Sequence, residues 1–528
     1  MKILMVAAEN GAFPGGKVGG MGDVIRDVPP ALAALGHQVS VIMPGYQYFS
    51  TLPGAQQVSE LQLRFRGNIE RVSLWRVGPE IEQPGVKHWV LEHPLLAPQE
   101  PGRIYCDDGP GRPFASDASK FALFCAAVLQ AISSRRLEFP DVIHLHDWHT
   151  ALVAVLARYD KSFQLMPAIP MVYTIHNLAL QGIRPFSGDE SSLEAWYGPM
   201  DYPVDSLRDP RYPDCFNAAR AAINLCHRVH AVSPTYVREI QQPDPAGDAA
   251  GGGAGLEADL RRAAEQGRLV GILNGCEYPA DSAPVLPFSQ FIDLARERVM
   301  HWLGKSAAVL PSEFVALRKL DQWQADGGKR PGLLLTSVGR ITSQKVGLLL
   351  RRMQDGRSAL MHLLDVLDDE GVFILLGSGD QELEHELAAV SATRENFLFL
   401  RGYSEPLSDQ LYAGGDLFVM PSSFEPCGIS QMLAMRAGQP CLVHAVGGLA
   451  DTVADGENGF SFGGTSIEEE AEQMLVRFGE VLTLKREQPA RWQEVCAAAA
   501  AARFPWDEVA KAYVKQLYQQ PDGPCWRA

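Results

Sequence analysis

The sequence predicts an α/β protein with two doubly wound parallel sheets, and three observations carry that prediction. Short, unbroken apolar runs rich in β-formers recur at 3–7, 39–43, 142–146, 171–175 and 229–232, and again at 333–338, 372–376, 417–420 and 441–444. Unbroken runs, as opposed to alternating ones, belong to strands buried on both faces. Each run leads through a loop into a helical pattern, the order of right-handed βαβ units. The two series are separated at 279–331 by a stretch holding Pro279, Pro284, Pro287, Pro311 and Gly327-Gly328, so a hinge between two domains is placed near its start. An earlier Gly-, Ala- and Asp-rich segment, 243–255, reads as a flexible surface loop of the first domain. Ligands of open parallel sheets bind at the carboxyl ends of the strands. Motifs that follow strand ends in both halves are therefore expected to meet in a cleft.

The chain carries 47 Lys and Arg against 63 Asp and Glu, a net charge of −16. That balance disfavours non-specific nucleic-acid binding and adhesion to anionic membranes, and leaves room for a small anion at a local basic site. Nine cysteines, with no C-x-x-C pair, argue against a disulfide framework or zinc site and for free thiols in a reducing compartment. The N-terminal residues turn acidic at Glu9, too soon for a secretory leader, and no uncharged apolar run reaches membrane-spanning length. A cytoplasmic protein with no membrane or nucleic-acid partner is the expectation. Oligomeric state has no signature here.

After the first run, Gly15-Gly16-Lys17-Val18-Gly19-Gly20-Met21-Gly22-Asp23 opens into a helical pattern. Glycines admit close backbone approach, amides at a helix start attract anions, and Lys17 adds a point charge, a set that suits a diphosphate. No Gly-Lys-Ser/Thr is present, so this is no Walker loop, and an ordinary glycine-rich turn fits equally well. His144-Leu145-His146-Asp147-Trp148-His149 closes the run at 142–146. Histidines at these spacings across a strand end do not converge, so no metal is expected. They are either bonded to backbone beneath a loop or donors to a polar ligand. His176-Asn177 follows the run at 171–175, with His176 able to donate to a ligand hydroxyl, to stabilise charge, or to sit satisfied in a loop. Asn274-Gly275 by itself is a tight turn. In the second half, Arg340 and Lys345 stand five residues apart just past a strand, where a planar fork and a point charge can converge on one phosphate. Glu425-Pro426-Cys427-Gly428 follows the run at 417–420, with Pro426 suited to a helix start and Gly428 offering free amides. Cys427 itself reads as a small buried apolar side chain. Gly447-Gly448-Leu449 shapes a neighbouring loop.

Each motif is weak alone, but Lys17-Val18-Gly19-Gly20, His146-Asp147-Trp148-His149, Thr174-Ile175-His176-Asn177-Leu178, Asn274-Gly275, Arg340 through Lys345, Glu425-Pro426-Cys427-Gly428 and Gly447-Gly448-Leu449 form an ordered set. As a set they resemble the bacterial glycogen and plant starch synthases, across nearly the whole chain. The resemblance implies the GT-B fold, two Rossmann-like domains facing across a cleft. An N-terminal starch-synthase catalytic domain would span 1–275 and a C-terminal glycosyltransferase domain 276–503, with a terminal helix at 504–528 crossing back to the first. It implies retaining transfer of glucose from ADP-glucose to the non-reducing end of an α-1,4-glucan, with no metal or other cofactor. Its partners would be a nucleotide sugar and a glucan acceptor.

Carried over residue by residue, Lys17, Gly19 and Gly20 would lie at the donor phosphates, and Arg340 and Lys345 would neutralise the leaving diphosphate. Asp147 and His176 would sit near the reacting sugar, and Glu425 would bind the donor glucose. Asn274, Cys427, Gly428, Gly447 and Gly448 would complete the substrate site. The departures are Val18 for the family's Thr, Met21-Gly22 for Leu-Ala, Val346 for Gly, and Cys276-Glu277-Tyr278-Pro279 after Asn274-Gly275. They bear on the choice of nucleotide and acceptor. Pro29-Pro30 is expected to distort the helix after the glycine loop. The alternatives are a related transferase with another sugar nucleotide or a small acceptor, and a non-catalytic glucan-binding protein.

Overall fold

A computed structural model describes residues 1–109, 111–244, 251–279, 284–305 and 310–519. They divide into two compact units. Among the described residues, the first holds Met1–Asp244, Gly252–Gly275 and 506–519, and the second holds Gly251 and Cys276–Pro505.

In the first unit the strands are β1 Lys2–Val6, β2 Gln38–Pro44, β3 Gln56–Phe65, β4 Asn68–Val77, β5 Val86–Glu92, β6 Val142–His146 and β7 Met171–Ile175, followed by β8 Ile183–Pro185, β9 Cys215–Asn217, β10 Arg228–Ala231 and β11 Leu269–Gly271. Nine of them form one sheet in the order β11-β10-β7-β6-β1-β2-β5-β4-β3, and β8 pairs with β9 apart from it. The sheet is parallel from β11 to β5, but β5/β4 and β4/β3 are antiparallel. The all-parallel expectation therefore needs correcting at this edge. In β3, Leu61, Leu63 and Phe65 are buried while Gln62 and Arg64 are exposed. Such alternation marks a sheet with one solvated face, and a search for unbroken runs passes over it.

The second unit holds β12 Leu333–Val338, β13 Gly371–Gly377, β14 Phe397–Arg401, β15 Leu417–Met420, β16 Cys441–His444 and β17 Phe460–Phe462. They form a six-stranded, all-parallel sheet in the order β14-β13-β12-β15-β16-β17. One face packs on Leu360, Leu363, Leu364 and Phe478. The other packs on Phe291, Ile292, Ala316 and Leu320, from helices Phe288–Lys305 and Pro311–Ala325. The proline-marked stretch at 279–331 thus supplies two core helices of this unit. Of the 243–255 segment, residues 245–250 lie outside the described residues. The N–H of Gly253 donates to the Gln242 carbonyl at 2.8 Å.

The helix Ala115–Ser133 has the length and apolarity to cross a membrane, but 89% of its apolar window is buried inside the protein. It is a core helix of the first unit. The helix Gly20–Ala34 runs unbroken through Pro29 and Pro30, contrary to the distortion expected there. Pro30 has no N–H for the Arg26 carbonyl, and Gln83 Nε2 donates to that oxygen instead, at 3.0 Å. The helix Trp506–Tyr513 and the π-helical turn Val514–Tyr518 pack in the first unit, beside Gly20–Ala34.

Backbone segments past β12 and β13 lie against each other. Gly339 N–H donates to Leu376, Ile341 N–H to Ser378 and Asp380 N–H to Ile341. A Cβ on Gly377 would stand 2.0 Å from the Gly339 oxygen, and one on Gly379 would stand 2.2 Å from that of Ile341. Gly377→Ala is expected to cost about 1–3 kcal/mol, the usual price of overpacking, read as a lowered unfolding midpoint in denaturant.

Candidate functional site

Both sheets reverse their winding beside their first strand. In the first unit β2 and β5 continue to one side of β1, and β6, β7, β10 and β11 to the other. In the second, β13 and β14 lie on one side of β12, and β15 to β17 on the other. Loops leaving the carboxyl ends of the two central strands diverge at such a reversal and leave a crevice for ligands. The glycine loop leaves β1 and Asp147 follows β6. The Arg340 loop leaves β12 and the Glu425 loop leaves β15.

Asp147 is buried and holds φ 55°, ψ −179°, a conformation that non-glycine residues rarely adopt. Its N–H donates to Thr174 at 2.9 Å, and its Oδ1 accepts from the His176 N–H at 2.7 Å, so β6 and β7 hold the strained peptide from both sides. Burial pushes its carboxyl up to about 7, against the backbone donors of His176 and Asn177. The sequence-predicted pair Asp147 and His176 is thereby brought together. Burial lowers His176 to about 3. Its Nε2 lies 3.0 Å from Nδ1 of His146, while His176 Nδ1 and His146 Nε2 have no hydrogen-bond partner among the described residues. With the shared proton on His146 Nδ1, His176 Nδ1 carries an N–H to offer to a ligand, and the deeper His146 keeps only a bare lone pair. Asn274 is buried with an unpartnered Oδ1.

Below these residues runs a hydrogen-bonded series. His230 Nε2 donates to the Ile272 carbonyl at 3.1 Å, so its Nδ1 accepts from Thr174 Oγ1 at 2.9 Å. Thr174 Oγ1 accepts from His144 Nε2 at 2.5 Å, and His144 Nδ1 accepts from the Tyr518 hydroxyl at 2.7 Å. His144 and His146 thus bond to side chains and not to backbone, the partner that one of the two readings of the sequence gave them. Tyr518 carried no signal, because its partner is 374 residues away.

The glycine loop differs more from expectation. The N–H groups of Val18 and Gly19 donate to Glu9 Oε2 at 2.8 and 2.7 Å, and the Tyr105 hydroxyl donates to Glu9 Oε1 at 2.6 Å. Two amides expected to face a diphosphate are occupied by the chain's own carboxylate. Lys17 pairs with Asp23 at 2.6 Å, Gly19 caps the helix and Gly20 begins it. Glu9 stands at the end of the first apolar run, and this position was its only signal in the sequence.

In the second unit Arg340 is exposed and makes no ion pair among the described residues. Lys345 forms an ion pair with the buried Glu425, which also accepts from the Ser422 hydroxyl at 3.2 Å. Gln344 ties the two loops: its Nε2 donates to Phe424 at 2.9 Å, and its carbonyl accepts from the Ser423 N–H at 2.8 Å. Gly447, at φ +44°, and Gly448 lie on the Glu425–Cys427 backbone, where a Cβ would meet oxygens at 1.8 and 2.3 Å. Gly448 N–H donates to the Glu425 carbonyl at 3.0 Å. Cys427 is buried and forms no disulfide among the described residues. Gly428, at φ +76°, sits over Gln431, whose Nε2 donates to the Cys427 and Gly428 carbonyls. Lys345, Glu425 and the glycines form one cluster within the second unit. Among the described residues no group of three His, Cys, Asp or Glu side chains could hold a metal ion.

Residues 2–262 match the starch synthase catalytic domain, and residues 324–488 match glycosyl transferases group 1. These matches define a glycosyltransferase. The chain is 32% identical over 546 residues to glycogen synthase 1 of Methylococcus capsulatus, covering 98% of this chain and 96% of that one. It is 32% identical over 545 residues to the glycogen synthase of Streptococcus sanguinis, covering 98% and 99%. The catalytic domain of starch synthase IV from Arabidopsis thaliana, solved with ADP and acarbose, matches with a TM-score of 0.73 at 25% identity over 98% of both chains. The chain belongs to the glycogen and starch synthase family and has its GT-B fold.

Burial lowers His88 and His230 to about 4 and His149 and His176 to about 3. Between these values and the ordinary 6.5 the unfolded chain binds more protons than the folded one, so stability rises with pH. Asp147, raised to about 7, has the opposite slope but is one group against four. Thermal unfolding is expected to move to lower temperature as pH falls from 6.5 towards 4. Asp147→Asn is expected to steepen that fall, which scanning calorimetry at stepped pH would read.

Proposed function

We propose that the chain transfers glucose from ADP-glucose to the non-reducing end of an α-1,4-glucan, with retention and without a metal ion, in the cytoplasm. The observation that carries this reading is the cluster at the β12/β15 reversal: an exposed Arg340 with no ion pair among the described residues, and Lys345 held by Glu425. A departing diphosphate gathers negative charge, and positioned cations stabilise it most at that moment. Arg340 meets phosphate oxygens with its planar fork. Lys345 turns from Glu425 to the phosphate as the donor enters, and Glu425 turns to the glucose hydroxyls, since a carboxylate beside phosphate is repelled. The relatives' names support a glucan product, and the ADP and acarbose in the Arabidopsis structure support the adenine donor.

Asp147 and His176 act at the sugar. His176 Nδ1–H donates to a hydroxyl or to the leaving oxygen. Asp147, its carboxyl raised to about 7 by burial, faces the positive charge that develops at the anomeric carbon. Lys17, Gly19 and Gly20 lie at the donor phosphates, with Lys17 exchanging Asp23, and the Gly19 amide exchanging Glu9, for phosphate oxygen.

Purified protein given glycogen and, separately, ADP-glucose or UDP-glucose is expected to release ADP and lengthen the glucan with ADP-glucose. Diphosphate release without growth would point to another acceptor, and silence with both donors to a binding protein. Arg340→Ala and Lys345→Ala are expected to lower kcat about 10²–10³-fold with little change in glycogen KM, because their charge counts as the phosphate departs. Near-normal turnover in both would remove them from the reaction. A chelator is expected to leave turnover intact, and loss restored by Mg²⁺ would overturn the metal-free reading.

A further inference from the structure

Pro29-Pro30 and the segment before β5 take no part in the chemistry above, yet a series of side chains joins them to the glycine loop. The Arg26 carbonyl, which Pro30 cannot serve, accepts from Gln83 Nε2 at 3.0 Å. That donation fixes the Gln83 amide and leaves its Oε1 as an acceptor, 2.9 Å from His88 Nε2. His88 is buried and held neutral, with a value pushed down to about 4, so the ring carries one N–H. That proton lies on Nε2, and Nδ1 accepts from Asn10 Nδ2 at 3.1 Å. Asn10 Oδ1 accepts from the Ala12 N–H at 2.9 Å, which fixes the amide from its other side. Every proton from Asn10 through His88 and Gln83 to Arg26 therefore has one place.

Asn10 is the hub of the glycine loop. Its N–H donates to the Gly16 carbonyl at 2.7 Å, and its carbonyl accepts from the Phe13 N–H at 3.3 Å. A Cβ on Gly16 would stand 2.3 Å from the Asn10 oxygen. The Phe13 ring meets the His88 ring edge-on, with centroids 5.3 Å apart. The loop is thus clamped to β5 through two residues of its own, Asn10 and Phe13.

We propose that Gln83 and His88 are positioning residues: anchored on the carbonyl exposed by Pro30, they hold Asn10 and thereby set the glycine loop for the donor phosphates. The donor part rests on the reading of Lys17, Gly19 and Gly20 given above. Neither residue needs to touch substrate. A loop held by fixed protons loses less freedom when an anion binds it, so loosening the series weakens donor binding and spares the acceptor.

The test compares Gln83→Ala, Pro30→Ala/Gln83→Ala and Lys17→Ala with the unaltered full chain. ADP-glucose and glycogen kinetics are measured with hydrogen–deuterium exchange of peptides spanning 8–24. Gln83→Ala is expected to speed exchange there and to raise the ADP-glucose KM about 5- to 30-fold, the equivalent of one or two hydrogen bonds, with glycogen KM unchanged. The double variant returns an N–H to the Arg26 carbonyl but leaves His88 without its acceptor, so the loop defect is expected to persist. Unchanged exchange in Gln83→Ala, or full recovery in the double variant, would overturn the proposal and confine Gln83 to the helix. Faster exchange with an unchanged ADP-glucose KM in both Gln83→Ala and Lys17→Ala would uphold the positioning and defeat the donor reading. A raised KM in Lys17→Ala alone would uphold the donor reading and overturn the claim that Gln83 sets the loop for the donor.

Discussion

Winding that reverses beside a central parallel strand is the constraint on which both units depend. All carboxyl ends of such a sheet open on one edge, and only at the reversal do two adjacent loops part. The first unit places its glycine loop and Asp147 at that point, and the second places Arg340 and Glu425 there. The remaining architecture serves these positions. The antiparallel β3-β4 edge lies far along the sheet from the reversal, and the chain returns from the second unit to lay Tyr518 beneath β6.

Within that frame the charges are largely answered by the chain itself. Glu9 fills the Val18 and Gly19 amides, Asp23 holds Lys17, and Glu425 holds Lys345. Buried charges are tolerable only when paired, and removing one partner costs more than the pair is worth. A ligand entering such a site exchanges partners more than it fills a void. Arg340 is the exception, since it is exposed and makes no ion pair among the described residues.

The legible parts of the fold were those that local physics dictates. β6, β7, β12, β15 and β16 lie where unbroken apolar runs stand, because strands buried on both faces leave no other composition. β3 and β4 alternate and went unread, and β14, though apolar from Phe397 to Leu400, was passed over. Pro29-Pro30 misled because the cost of a lost helical donor can be met by a residue distant in sequence, here Gln83. In the site, Asp147 with His176 and Lys345 with Glu425 stand at strand ends that the sequence marked. Glu9 was visible without a role, and Tyr105, Gln83 and Tyr518 act through contacts that no local pattern encodes.

Gly377, Gly379, Gly447 and Gly448 each bring a peptide within about 2 Å of where a first side-chain carbon would sit. Every amino-acid replacement at these four positions adds at least that carbon. They have no tolerable neighbour in sequence space, and a lineage can leave them only if the facing backbone shifts in the same event. The loops around Arg340 and Glu425 can therefore drift at their tips, where side chains meet solvent, while their roots are held fixed by the absence of a smaller step.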